Sequence, residues 1–139
     1  MTAKEYLNQY LGIKAEIKRL KAQLQELRDL CDQTTVDPST EKVQSSGSKD
    51  RLGDIVSQMA DKEAEIQVKI EQAFRKMEEI EETIELLADP DEKLIIQMRY
   101  IKGMKWSQII DEIPWAEDTV FLKHRKALRQ LATLCNKIK

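Results

Sequence analysis

Histidine, cysteine, glycine and proline are scarce in these 139 residues: one His, two Cys, four Gly and three Pro. A single His, with Cys31 and Cys135 far apart, matches no zinc or redox spacing, so neither a metal site nor a disulfide framework is expected. Each Cys lies on the apolar face of an expected helix, where a buried free thiol is the simplest state. Few Gly and Pro, with 35% charged residues, favour long helices over sheets and point to an all-α fold. No run of about 18 apolar residues occurs, and the opening MTAKEYLNQY lacks the apolar core of a signal segment. The expectation is a soluble, cytoplasmic protein without membrane contact. Carboxylates are plentiful, but there is no nucleophile–base pair, metal-ligand cluster or Gly-rich phosphate loop. No enzyme, catalytic residue or cofactor is therefore expected.

Charge, by contrast, is abundant and unevenly placed. The formal net charge is only −2. Residues 52–92 hold four basic and thirteen acidic side chains, a net of −9, whereas residues 93–139 hold ten and four, a net of +6. A basic segment beside an acidic one points to a polyanion as partner of the basic part.

The N-terminal half carries a heptad pattern. Tyr6, Tyr10, Ile13, Ile17, Leu20, Leu24, Leu27 and Cys31 form one series. Leu52, Val56, Met59, Ile66, Ile70, Ala73, Met77, Ile80, Ile84 and Leu87 form a second, with Glu63 in the one missing position. Spacings alternating between 3 and 4 indicate coiled-coil seams. Glu63 either fixes register or faces water. Between the series, about residues 32–50, DQTTVDPSTEKVQSSGSKD is rich in Ser, Thr and Asp and reads as a long loop. Residues 1–88 thus form a long antiparallel coiled-coil hairpin. A lone hairpin buries little surface, so a second copy is expected to complete it as a homodimer, unless the hairpin folds against its own C-terminal part.

Residues 89–139 read as a second, three-helix module. Asp89 is placed to N-cap, Pro90 to open the helix and Glu92 to complete an Asp-x-x-Glu box. The helix that follows should bury Leu94, Ile95, Met98 and Ile101, with Gly103 at its C′ position. A short helix over Trp106–Ile113 uses Ile109, Ile110 and Ile113 inward, and Pro114 forces a break. From Glu117 a longer helix turns Val120, His124, Ala127, Leu128, Leu131 and Cys135 inward. Glu117, Asp118, Phe121, Leu122, Arg125, Lys126 and Arg129 occupy its other face. A short helix, a three-residue break and a second helix match a DNA-binding helix-turn-helix. His124 is expected to pack and hydrogen-bond rather than bind a ligand, and Trp106 and Trp115 to anchor the core rather than stack on bases.

The run R-Y-x-x-G-x-x-W-x-x-I from Arg99, followed by T-V at Thr119 and A-L-x-x-L ending at Leu131, resembles region four of bacterial sigma factors. MTAKEYLNQ, VQSSGSKD with the following GDIV, and the L-x-H-x-x-A-L of the last helix are similar to ArpU/RinA-like late-transcription activators of phages and prophages. The sequence departs from the sigma pattern at Ala116, where a Ser or Thr cap is usual, at Pro114 in place of Gly, and at the apolar Phe121 and Leu122. The resemblance implies a phage-type transcriptional regulator that binds double-stranded DNA, with RNA polymerase as a further partner. Glu117, Asp118, Phe121, Leu122 and Arg125 would face base edges, and Lys102, Lys105, Ser107, Lys126 and Arg129 would meet phosphates. The alternatives are a small terminase-like packaging subunit and a module that docks on RNA polymerase without touching DNA.

Overall fold

A computed structural model describes residues 1–35 and 46–135, with side chains described over 1–32 and 51–135. All regular structure among the described residues is helical. α1 spans Ala3–Thr35, α2 Ser46–Glu85, α3 Pro90–Ile96, α4 Trp106–Glu112 and α5 Glu117–Leu134. α3 runs on into a wider π-wound turn, Gln97–Ile101. None of these helices is long and apolar enough to cross a membrane.

Both ends of the expected loop are helical. Residues 32–35 finish α1, and residues 46–50 begin α2. Ser and Gly cost a helix at most about 1 kcal/mol each relative to Ala, and a long helix propagates through such residues readily. The centre of that loop, 36–45, lies outside the described residues.

The chain divides into two compact units, 16–73 and 1–15 with 74–139. The boundary expected between residues 88 and 89 does not coincide with this division. In the unit 16–73, Leu20, Leu24 and Ile66 form the core, with Leu27 and Ile70 packed against it. Ile17 and Ala73 are buried as well. Arg28 Nε pairs with Glu63 Oε1 at 3.1 Å, and Cys31 Sγ approaches Met59 Sδ at 3.2 Å. Partners on α2 fall in number as those on α1 rise, so the helices here run antiparallel. Leu52 and Val56, expected on the seam, are exposed. For Leu52 the reason is length: Cys31 already meets Met59, and only four residues of α1 remain beyond it, too few to reach Leu52. The expected burial of Cys31 and Cys135 is also only partial, and neither forms a disulfide.

The other unit gathers the start of α1, the end of α2 and the described residues C-terminal to it. One cluster joins Ala3, Tyr6, Leu7 and Tyr10 of α1 with Ile80, Ile84 and Leu87, with Ile96 and Tyr100, and with Ala127 and Leu131 of α5. A second joins Ile95, Met98, Ile109, Ile113 and Val120, flanked by Met104, Trp106 and Trp115. α3 and its π-turn therefore contribute to both clusters. That placement corrects the face read from the sequence: Leu94 is 41% exposed, while Ile96 and Tyr100 are buried. A helix covered on two sides has no single apolar stripe, and the π-turn rotates the residues after Gln97 out of 3.6-residue phase. Two polar contacts fasten α1 to α2 inside this unit. Tyr6 Oη and Thr83 Oγ1 lie 3.2 Å apart, and Tyr10 Oη donates to Glu81 Oε1 at 2.5 Å. Burial and that carboxylate push the Tyr10 phenol up to about 12.

Candidate nucleic-acid interface

Local chemistry sets each helix end in this region. Asp89 caps α3 by accepting from Asp91 N–H at 2.9 Å, as its position before Pro90 predicts. The box expected with Glu92 does not close: Glu92 is buried and its Oε2 has no hydrogen-bond partner. Burial, with Asp89 nearby, raises its carboxyl pKa against the opposing pull of Lys123 and Lys126. The π-turn closes through Lys102 N–H to Gln97 C=O at 2.9 Å, and Met104 N–H reaches back to Met98 C=O at 3.0 Å. Gly103 then takes φ +71, the left-handed conformation that lets the chain leave the helix.

α4 starts after Lys105, whose backbone N–H donates to Gln108 Oε1 at 3.0 Å. It stops at Ile113, which is extended at φ −97 and ψ 136, as Pro114 next in the chain requires. After Pro114-Trp115-Ala116, α5 begins with no side-chain cap at Ala116, and Glu117 and Asp118 stand in its first turn. Their carboxylates offset the exposed N–H groups through the helix dipole.

The orientation of α5 against α4 rests on an aromatic cluster. Trp106 lies 5.0 Å from Phe121 and 4.7 Å from His124, centroid to centroid. Arg99 sits over the Trp106 ring at 5.0 Å, and its Nη1 donates to the Met104 carbonyl at 2.9 Å. Tyr100 Oη and His124 Nε2 share a hydrogen bond at 2.8 Å. Burial, together with Lys4, Arg99 and Arg125, lowers the His124 pKa to about 4. At neutral pH the ring is uncharged and serves as a packing and hydrogen-bonding group, as expected. Trp106 and Trp115 pack on the second core cluster in the anchoring role expected of them. Lys123, which the sequence reading did not single out, lies over Trp115 at 5.3 Å and pairs with Asp91 at 3.3 Å. It ties α5 to α3, and the signal for it was only the acid at the start of α3.

The inward face of α5 is as read from its spacing. Val120, Ala127 and Leu131 are fully buried, and His124, Leu128 and Cys135 half-buried. Of the base-facing candidates, Glu117, Asp118, Leu122 and Arg125 are exposed, and Phe121 is half-buried against Trp106. Of the phosphate candidates, Lys126 and Arg129 are exposed on α5, and Lys102, Lys105 and Ser107 are exposed at and before α4. Among the described residues no group of three or more His, Cys, Asp or Glu side chains is placed to hold a metal ion.

The chain belongs to the family described as "Protein of unknown function (DUF1492)", whose match spans residues 34–132. No curated protein and no solved structure matches it.

Proposed function

We propose that this chain is a DNA-binding transcriptional regulator of the phage or prophage type, with α4 and α5 as its helix-turn-helix and α5 as the recognition helix. In this reading the paired parts of α1 and α2 are an antiparallel coiled-coil hairpin that dimerises. The observation that carries it is the division of α5 into two faces. Val120, Ala127 and Leu131 are fully buried, while Arg125, Lys126 and Arg129 stand exposed on the far side. Lys105 is exposed just before α4, whereas Lys102 lines a groove with Glu78, Glu81, Glu82 and Glu85 of α2, and residues 93–139 carry a net of +6. A rigid helix with one packed face and one basic face, preceded by a short helix and a tight break, suits insertion in a major groove. The similarity to sigma region four and to late-transcription activators adds the target: a promoter, with RNA polymerase nearby.

Selection of duplexes from a random library by the full-length protein tests this. A dimeric helix-turn-helix enriches paired half-sites whose centres lie about one helical turn, roughly 10 base pairs, apart. A selected pool indistinguishable from the starting one would refute it. A packaging subunit would instead assemble into rings, which solution molar mass distinguishes from a dimer.

One feature favours a second reading, in which α5 docks on a protein. Leu122 is 45% exposed, one helical turn after Asp118, an apolar and acidic combination that phosphates do not attract. A Leu122→Ala variant that keeps DNA binding but loses transcription would support it.

A further inference from the structure

The unit 16–73 is held by a thin core, and its surface indicates what completes it. An open groove of about 460 Å³ runs beside Leu24 and Ile70. Its α1 wall is Lys21, Gln25 and Arg28, and its α2 wall is Gln67 and Glu71. The floor is apolar and the walls carry opposite charge. A helix of uniformly basic or acidic character would match one wall and be repelled by the other. A second copy related by a two-fold axis parallel to the helices matches both, because that axis lays α1 of each protomer along α2 of the other. We propose that this groove is the homodimer interface, with Lys21 of each protomer set against Glu71 of the other.

Area supports the same occupant. A stable interface needs about 800 Å² per partner, some 20–30 residues a side, which is more than the groove alone supplies. In the same unit, Leu30, Leu52, Ile55 and Val56 are each 40–51% exposed, near the end of α1 and the start of α2. A copy seated on the groove and continuing along the helices toward these residues would cover them. The copy's α2, which begins at Ser46, extends past all four.

The inference rests on the dimeric reading given above, and charge exchange separates the two. Lys21→Glu and Glu71→Lys are made separately in the full-length chain, and circular dichroism checks that both remain helical. Dimerisation is followed by light scattering against the 16.2 kDa protomer. Wild type is expected as a dimer, and each variant alone should dimerise at least tenfold more weakly, since both symmetric contacts become repulsive. An equimolar mixture should recover wild-type dimerisation. One protomer then carries acids at both positions and its partner bases at both, so each contact across the interface again pairs opposite charges. Variants that dimerise like wild type, or a mixture no tighter than its components, would overturn this interface while leaving the dimer intact. A monomeric wild type would overturn the dimer itself.

Discussion

Leu7 offers the sharpest view of how this fold is organised. It lies near the start of α1, is fully buried, and belongs to the cluster that contains Ile96, Tyr100, Ala127 and Leu131. Leu7→Ala removes three methyl-equivalent carbons and leaves a cavity, at a cost of about 2–5 kcal/mol. Residues 1–15 and 74–139 together make a unit of the size for which each kcal/mol shifts Tm by about 4–8 °C. A loss of about 3 kcal/mol therefore lowers Tm by about 12–24 °C. Both Trp residues, 106 and 115, pack on the second cluster of this unit, far along the sequence from the substitution. Thermal unfolding followed by Trp fluorescence and by far-ultraviolet circular dichroism should show the fluorescence transition moving down by that amount. A fluorescence transition that stays in place while only helicity falls would mean that α1 and the C-terminal helices unfold independently, and the unit described here would be wrong.

Other changes probe single features. Because folding lowers the His124 pKa to about 4 from an unfolded value near 6.5, protonation penalises the fold. The stability of wild type relative to His124→Gln should be fully present above pH 6.5 and shrink as pH falls toward 4; a constant difference in urea melts would contradict this. Gly103→Ala places a Cβ at φ +71 and 3.0 Å from Leu11 Cδ1, so it should destabilise by about 1–2 kcal/mol in the same assay. Arg125→Ala, at an exposed site, should change stability by no more than about 0.5 kcal/mol. It should weaken binding to a selected DNA site by about 1–3 kcal/mol in a titration if it reaches a base. Phe121→Ala should lower stability by about 2 kcal/mol, because that partly buried ring packs against Trp106 at 5.0 Å between centroids; an unchanged melt would show that the contact carries no weight.

Part of the buried face of α1 and α2 was legible because spacings of 3 and 4 keep residues on one side of a helix: Tyr6, Tyr10, Leu20, Leu24, Ile66, Ile80 and Ile84 are all buried, though Leu52 and Val56 are not. The two faces of α5 were legible for the same reason. Leu7 was not, since it lies beside the Tyr6–Tyr10 stripe and becomes buried only because further helices cover the start of α1. Leu94 was misplaced and Ile96 and Tyr100 missed because α3 is covered from two sides and ends in a π-turn, which spacing cannot register. The ends of α1 and α2 were cut short by weighing Ser, Thr and Asp as loop residues inside helices long enough to absorb them. At the candidate site, single-residue exposure was legible, but the Trp106–Phe121–His124 contacts depend on how α4 and α5 cross. No one-dimensional pattern encodes that angle.

The proposed function requires the basic surface of α5 and Lys105 before α4 to neutralise DNA phosphates. Fluorescence anisotropy of a labelled duplex of about 30 base pairs, titrated with full-length protein from about 50 to 200 mM salt, measures this directly. Each phosphate contact contributes about −0.9 to the slope of log affinity against log salt, so Lys105, Lys126 and Arg129 should give about −2.7 per protomer. The triple variant Lys105→Ala, Lys126→Ala, Arg129→Ala should lose that slope while remaining folded. Affinity that ignores salt, or a triple variant with the wild-type slope, would contradict the claim.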